Sequence, residues 1–118
     1  MAAAKRVLVV EDDLEIREAI AGCLEELGVE AVRARDGLEG LERLADGPAP
    51  QAILLDLCMP RLDGHGFLAR MRQNPAFAEI PVISMTAATH MAMPEASAHL
   101  AKPFDFGELA QILASLCP

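Results

Sequence analysis

Short apolar runs alternate along this chain with longer segments in which apolar residues recur at helical spacing. The strand-like runs are Arg6 to Val10, Glu30 to Ala34, Ala52 to Asp56, Val82 to Met85 and His99 to Ala101. Helical patterns follow at about Leu14 to Leu27, Leu38 to Ala45, Gly66 to Gln73 and Phe106 to Leu116. Strands that alternate with helices are typical of βαβ units and parallel sheets. The pattern therefore predicts a doubly wound α/β sandwich with a five-stranded parallel sheet.

The helical segments carry capping signals and buried stripes. Asp36 with Glu39, and Asp105 with Glu108, have the spacing of N-terminal capping pairs. Gly28 is placed to end the first helix. The predicted buried stripes are Ile16, Ile20, Cys23, Leu24 and Leu27 in the first helix, and Phe106, Leu109, Ala110, Leu113 and Leu116 in the last.

The connection between the fourth and fifth strands has little room for a helix. It comprises only Ala87 to Ala98 and contains Pro94. Proline is tolerated in the first turn of a helix but not deeper. We therefore predict a shortened fourth helix, with at most about two turns after Met93.

Composition and charge narrow the class of protein. With 118 residues, the chain fits one domain, residues 1–118, large enough to form a core without metals or disulfides. Its formal net charge of −8 disfavours direct contact with nucleic acid or an anionic membrane. The odd number of cysteines, without a CxxC pair, argues against a disulfide framework and a zinc site. We see no membrane span and no signal peptide, and expect a cytoplasmic protein.

Polar residues follow the strand-like runs at matching places. Glu11 and Asp12 follow the first run, Asp56 ends the third, Thr86 follows the fourth and Lys102 follows the fifth. The carboxyl ends of parallel strands lie along one edge of the sheet, where ligands bind. We therefore expect three carboxylates, one hydroxyl and one ammonium to converge on a single pocket.

The residue types in this pocket indicate phosphoryl chemistry with magnesium. Three carboxylates repel one another unless a cation is present, and oxygen ligands suit Mg²⁺. Lysine and threonine side chains can hold the oxygens of a phosphoryl group. A carboxylate can itself act as the nucleophile, which forms an aspartyl phosphate. Asp56 is the best candidate, because it ends the strand that looks most buried.

Four segments together resemble the receiver domain of two-component response regulators. They are VVED at 9–12, LLDLCMPRLDG at 54–64, SMTA at 84–87 and KPF at 102–104. The resemblance covers nearly the whole chain and implies a flavodoxin-like (βα)5 fold. Any one segment would be weak evidence, but four in order, each at a strand end, form a specific pattern.

The resemblance also implies roles for the pocket residues. Asp56 would accept a phosphoryl group from a histidine kinase or a histidine phosphotransfer protein. Mg²⁺ would be held by Glu11, Asp12, Asp56 and the main-chain carbonyl of Cys58. Lys102 and Thr86 would contact the phosphoryl group, and the Lys102–Pro103 peptide bond would be cis. The domain would signal by a conformational change to a downstream protein partner that the sequence does not identify, and it would not be an enzyme.

Two departures from the family pattern affect the output of the domain. Thr86 and Lys102 are only 16 positions apart, and the shortening falls on the fourth helix. His99 occupies the position where the family usually has a tyrosine or phenylalanine that moves inward with the threonine. These departures favour an alternative function, a pseudo-receiver interaction module that works without phosphorylation. The acidic pocket and Lys102 favour the phosphoacceptor.

A phosphatase of the haloacid dehalogenase type is a third interpretation. That class also uses an aspartate nucleophile at the end of a strand. It needs a second aspartate two residues later, as acid and base, and this position holds Cys58. The sequence therefore argues against this enzyme.

Overall fold

The computed structural model describes residues 5–57, 59, 61–86 and 96–116, and this part of the chain forms five strands and four α-helices. The strands are β1 (Arg6–Val10), β2 (Glu30–Ala34), β3 (Ala52–Asp56), β4 (Val82–Thr86) and β5 (Ala98–Ala101). The helices are α1 (Leu14–Glu26), α2 (Gly37–Ala45), α3 (Gly64–Arg72) and α4 (Phe106–Leu116). The short helix predicted after Met93 falls mostly outside the described residues, because the structure describes only residues 96–98 of this connection, and Ala98 already belongs to β5.

The five strands form one parallel sheet in the order β2-β1-β3-β4-β5. The central strand β3 is buried along its whole length. Its last residue, Asp56, pairs with Met85 of β4, and Thr86 pairs with Ala101 of β5. The predicted parallel fold is confirmed, and its carboxyl edge collects the ends of β1, β3, β4 and β5.

Alternate residues of each strand point to opposite faces of the sheet, and a separate apolar core covers each face. On the first face, α2 and α3 pack on the sheet through Leu44, Phe67, Leu68 and Met71. On the second face, α1 and α4 pack on the sheet through Ile20, Leu24, Leu109 and Leu113. This arrangement explains why the central strands are nearly continuous apolar runs.

Asp side chains begin the helices at the positions where the chain leaves the sheet. Asp13, Asp36 and Asp63 each accept a hydrogen bond from the main-chain N–H three residues later. Asp105 does the same for Glu108, whose carboxylate accepts from the Asp105 N–H, so this predicted capping pair is present. The cap at Asp63 also explains why α3 begins at Gly64, two residues earlier than the apolar pattern predicts.

The predicted buried stripes are wrong at two positions. Leu27 is 41% exposed, because α1 ends at Glu26 and the chain turns at Gly28, where φ is +78°. Phe106 is 39% exposed, because it lines a cavity of about 410 Å³ between α1 and the connection from β5 to α4. Helical spacing identifies the face of a helix but not where its neighbours end.

Candidate functional site

The phosphoacceptor candidate Asp56 lies at the carboxyl end of β3 and is almost fully buried. The next residue, Leu57, donates its main-chain N–H to the carbonyl of Met85 at 3.1 Å. The chain therefore leaves β3 while still bonded to β4. This bond keeps the Asp56 main chain at the sheet edge rather than in a mobile loop.

Glu11 follows β1 directly and is held by main-chain groups on two sides. Its N–H donates to the carbonyl of Ala34 at 3.0 Å, which extends the pairing of β1 with β2. Its Oε2 accepts from the N–H of Asp13 at 3.2 Å. The side chain of Glu11 is only 1% exposed, so its carboxylate points into the protein at the start of α1.

Carboxylate oxygens of Glu11, Asp12 and Asp56 lie within 4.8 Å of one another. Glu11 and Asp56 are buried, whereas Asp12 is exposed. A group of three carboxylates at this spacing needs a cation to offset its repulsion, and hard oxygen ligands with an open side suit Mg²⁺. The residues at this edge therefore fit the divalent cation that the sequence predicts.

Lys102 brings a fixed positive charge to the same group. Its Nζ donates to Oε1 of Glu11 and lies 3.6 Å from Oδ1 of Asp56, and its side chain is 15% exposed. Burial alone would lower the pKa of Lys102. The hydrogen bond to Glu11 and the charges of Asp56 and Glu11 outweigh burial and raise that pKa above its ordinary value. Lys102 is therefore charged at neutral pH.

The β5 connection reaches the pocket through main-chain bonding to β4. The N–H of Lys102 donates to the carbonyl of Thr86 at 3.0 Å, and the Lys102–Pro103 peptide bond is cis, as the resemblance implies. Thr86 is the last residue of β4 and is buried. Strand pairing thus places the hydroxyl-bearing residue and the lysine side by side at the carboxyl edge.

His99, at the position of the usual aromatic residue, lies on β5 and is exposed. Its Nδ1 is 2.8 Å from the hydroxyl oxygen of Ser84, its partner in the β4–β5 register. Ser84 itself is buried. The imidazole is therefore hydrogen-bonded to the sheet through Ser84, although His99 as a whole is exposed.

The structure brings Glu11, Asp12, Asp56 and Lys102 into one group of side chains. Thr86 lies at the same edge, one strand from Asp56. The predicted ligand role of the Cys58 main-chain carbonyl lies outside the described residues. The predicted site residues that the structure describes therefore lie together at one edge of the sheet.

One pair of residues near this edge was missed by the sequence analysis. Nε of Arg61 is 2.6 Å from Oδ2 of Asp36. The sequence pattern predicts Asp36 only as a helix cap and indicates no role for Arg61. The two residues lie in different loops and are 25 positions apart, so no local sequence pattern indicates that they form a pair.

Comparison with known proteins shows the family. The family model of the response regulator receiver domain matches residues 7–114. PilG of Pseudomonas aeruginosa is 30% identical over 119 residues, which cover 96% of this chain and 87% of PilG. The transcriptional regulator RpaA of Synechocystis is 35% identical over 94% of this chain and 48% of its own length. The chain belongs to the response regulator receiver domain family of two-component signalling.

Other curated relatives are much longer than the matched region. The sensor histidine kinase CheAY of Helicobacter pylori is 41% identical over 81 residues, which are 68% of this chain and 10% of that protein. This chain spans about half the length of RpaA and of several other relatives. The shared unit is therefore the receiver domain rather than the whole of these proteins.

Solved receiver structures superpose on nearly the whole chain. The receiver domain of sensor histidine kinase PA1611 from P. aeruginosa, solved with magnesium in its active-site cleft, has a TM-score of 0.88 at 28% identity and covers 97% of this chain and 98% of that one. TrrA of Thermotoga maritima, solved with Mg²⁺ and beryllofluoride, has a TM-score of 0.85 at 30% identity and covers 95% and 98%.

Family membership shows the class of signalling module to which the chain belongs. Receiver domains are signalling modules that bind Mg²⁺ in an acidic pocket and interact with histidine kinases or phosphotransfer proteins. Within the described part of the chain, none of the helices has the length and apolar character needed to cross a bilayer.

Proposed function

We propose that this chain accepts a phosphoryl group on Asp56, in a Mg²⁺-dependent reaction, from a phosphohistidine of a histidine kinase or histidine phosphotransfer protein. The observation that carries the proposal is the contact of one partly buried lysine with two buried carboxylates. Lys102 donates to Glu11 and lies 3.6 Å from Asp56. Such a cluster costs folding free energy to bury, which favours a chemical role over a purely structural one.

Asp56 would act as the nucleophile. One of its carboxylate oxygens forms a bond to phosphorus, while the bond between phosphorus and the histidine nitrogen breaks and its electron pair stays on the imidazole. The charged ammonium of Lys102 offsets the negative charge that the incoming group brings next to Asp56. We assign Thr86 a hydrogen bond from its hydroxyl to a phosphoryl oxygen, because it ends the neighbouring strand at the same edge.

Glu11, Asp12 and Asp56 would hold the Mg²⁺ through their side chains, together with the main-chain carbonyl of Cys58. When bound, the cation supplies charge neutralisation and orientation for phosphoryl transfer. Glu11 is fixed by the N–H of Asp13 and by Lys102, so it provides a rigid wall of the site. The exposed Asp12 leaves one side of the pocket open to solvent, where a donor histidine can approach.

Phosphorylation would add about 1.5 to 2 negative charges next to Lys102 and Thr86. We propose that Thr86 moves toward these charges and that the change is transmitted to a protein partner through the β4–β5 surface, where His99 is attached to Ser84. The proposal includes a cytoplasmic location. It excludes direct contact with nucleic acid, because the net charge of −8 disfavours binding to polyanions.

The alternative is a pseudo-receiver that binds its partner without phosphorylation. The specific observation in its favour is His99, which is exposed and hydrogen-bonded where the family's switch has an aromatic ring. Mg²⁺-dependent phosphorylation separates the two functions.

The test is incubation of the wild-type protein with acetyl phosphate and Mg²⁺, followed by intact mass measurement. We expect the addition of one phosphoryl group, its loss when EDTA is present, and its absence in Asp56→Asn. Asp46→Asn is the matched control, because Asp46 is an exposed carboxylate that ends α2 and is outside the acidic group. A full mass gain in Asp56→Asn would reject the site, and no gain in the wild type would favour the pseudo-receiver.

A further inference from the structure

The connection between β3 and α3 is fastened at its two ends to the main chain around Asp56. The N–H of Gly64 donates to the carbonyl of Leu57 at 3.3 Å. A Cβ at Gly64 would lie 2.8 Å from the carbonyl oxygen of Asp56 and 2.9 Å from the Cα of Leu57. The start of α3 therefore packs directly on the main chain of the phosphoacceptor, with no space between them.

The tip of the same connection is fastened to the start of α2. Nε of Arg61 lies 2.6 Å from Oδ2 of Asp36, and the N–H of Gly37 donates to the carbonyl of Leu62 at 3.2 Å. A Cβ at Gly37 would collide with that same carbonyl oxygen. We call these two contacts, Arg61 with Asp36 and Leu62 with Gly37, the loop clamp.

Arg61 has an unusual backbone conformation for its residue type. Its φ is +65°, and among the residues that the structure describes it is the only non-glycine residue with a positive φ. Side chains other than glycine adopt this region at a cost, and such conformations persist only where the surroundings hold them. Glycine would adopt this φ without that cost, whereas arginine adds a side chain that reaches Asp36.

Asp36 is well suited to hold that side chain. Its side chain is 6% exposed, and its other oxygen, Oδ1, accepts from the N–H of Glu39 at 2.9 Å as the cap of α2. The hydrogen bond from Arg61 holds the pKa of Asp36 below its ordinary value, although burial opposes this shift. Asp36 is therefore a charged, fixed anchor, whereas 51% of the Arg61 side chain remains exposed.

We infer that Arg61 is a positioning residue for the acidic pocket. Through its contact with Asp36 it holds residues 61 and 62 against α2, and thereby keeps Gly64 packed on the main chain of Asp56 when Mg²⁺ binds. This inference rests on the proposed function, because Asp56 is one of the carboxylates that we propose as ligands of the cation. The clamp acts on the position of the main chain and does not itself contact the cation.

Mg²⁺ affinity measured by titration calorimetry is the primary test. Arg61→Ala removes one partner of the clamp. Asp36→Asn removes the charge of the other but keeps a side chain that caps helices equally well. We expect each variant to weaken Mg²⁺ binding about tenfold, as is typical when a group that orients a ligand is lost. The double variant should be no weaker than either single variant, because both remove the same contact.

Two further variants separate the ion pair from backbone strain. Arg61→Gly relieves the strain of a positive φ but lacks the guanidinium, so it should bind Mg²⁺ as weakly as Arg61→Ala. Arg61→Lys should recover part of the affinity, because an ammonium keeps the charge but lacks the planar fork of donors. Wild-type affinity in Arg61→Gly would overturn the role of the ion pair.

Arg33→Ala is the matched control. Nε of Arg33 lies 2.7 Å from a carboxylate oxygen of Glu18, which is nearly the same geometry, but this pair joins β2 to α1 rather than to the β3–α3 connection. It should leave the Mg²⁺ affinity unchanged. A tenfold loss in this control would show a general electrostatic effect and would overturn the inference.

A metal-free measurement completes the test. Hydrogen exchange of the Gly37 amide, which donates to Leu62, should be faster in Arg61→Ala and unchanged in Arg33→Ala. The inference would be overturned if Arg61→Ala left this exchange unchanged and kept its Mg²⁺ affinity within about twofold of wild type. A lower melting temperature in that same variant would then show that the ion pair only stabilises the fold. The failure of the wild type to accept phosphate would reject the proposed function instead.

Discussion

Two ion pairs near the carboxyl edge of the sheet differ in how much water reaches them. Lys102 and Glu11 are 91 positions apart, with side-chain exposures of 15% and 1%. Arg61 and Asp36 are 25 positions apart, with exposures of 51% and 6%. Each pair joins two elements that are far apart in the sequence, but only in the first pair are both side chains largely shielded from solvent.

The difference in burial separates two tasks. In the enclosed pair, the loss of one partner leaves a buried charge without compensation, which is costly, so the pair is suited to chemistry that needs a fixed charge. In the half-exposed pair, water can solvate the arginine when the contact breaks, so the cost is small and the main effect is on the position of the loop. The variants that follow test this distinction.

The largest expected effect is that of Lys102→Met. The substitution leaves Glu11 and Asp56 buried without their cation, and the free energy of unfolding should fall by about 3 kcal/mol in the absence of metal. Phosphorylation by acetyl phosphate should also be lost. Chemical denaturation measures the stability, and saturating Mg²⁺ should reduce the loss because another cation then faces the carboxylates. Lys5→Met, at an exposed position before β1, is the control, and an equal loss there would contradict the distinction.

The second effect is stabilisation of the wild type by Mg²⁺. At about 100 times its dissociation constant, a ligand that binds only the folded state adds about 2.7 kcal/mol. Asp12→Asn should lose most of this gain, yet change metal-free stability little, because Asp12 is exposed. Asp13→Asn is the matched control, since Asn also caps α1 and Asp13 is outside the acidic group. A melting temperature that does not respond to Mg²⁺ in the wild type would contradict the proposed site.

The third effect is a pH dependence carried by Asp36. The pKa of Asp36 in the folded protein is lowered, mainly by the hydrogen bond from Arg61, from an ordinary value of 3.8. The stabilisation is therefore present above that ordinary value and is lost as the pH falls through the folded pKa. Wild type should exceed Asp36→Asn in stability at pH 7, and the difference should vanish in acid. Arg61→Ala should remove most of the same difference, whereas parallel stability curves for wild type and Asp36→Asn would refute this linkage.

The smallest effect is that of His99→Phe, which lies outside both ion pairs. The imidazole is exposed, but its Nδ1 bonds to the hydroxyl of buried Ser84, so the free energy of unfolding of the metal-free protein should fall by only about 1 kcal/mol. In the wild-type protein, nuclear magnetic resonance spectra with and without beryllofluoride should show a changed environment of the His99 ring if His99 takes part in the conformational change on phosphorylation. An unchanged ring signal on activation would exclude His99 from that role.

Much of this architecture follows from periodicity and from residues at strand ends. Glu11, Asp56 and Lys102 are identifiable because each comes directly at or after the end of a predicted strand, and parallel topology carries strand ends to one edge. The boundaries of β1 and β3 agree with the apolar runs, because buried parallel strands tolerate few polar residues. Long-range convergence is predictable here because the regular sheet makes it a consequence of local patterns.

No such local pattern indicates the ion pair between Arg61 and Asp36. A positive φ at an arginine leaves no mark in the sequence, since this conformation is expected of glycine. The sequence predicts Asp36 as a helix cap, but only one of its two oxygens serves that purpose. Its second oxygen faces a loop whose path depends on the packing of Gly37 against Leu62.

The sequence by itself determined the order of strands and helices, the two apolar faces of the sheet and the acidic residues at its edge, because these depend on short-range periodicity. Tertiary structure alone decided that Phe106 stays partly exposed beside a cavity and that Arg61 reaches Asp36. Both outcomes depend on the distances between loops and on helix ends from different parts of the chain. Such distances are set by close packing of the whole domain, and no single segment encodes them.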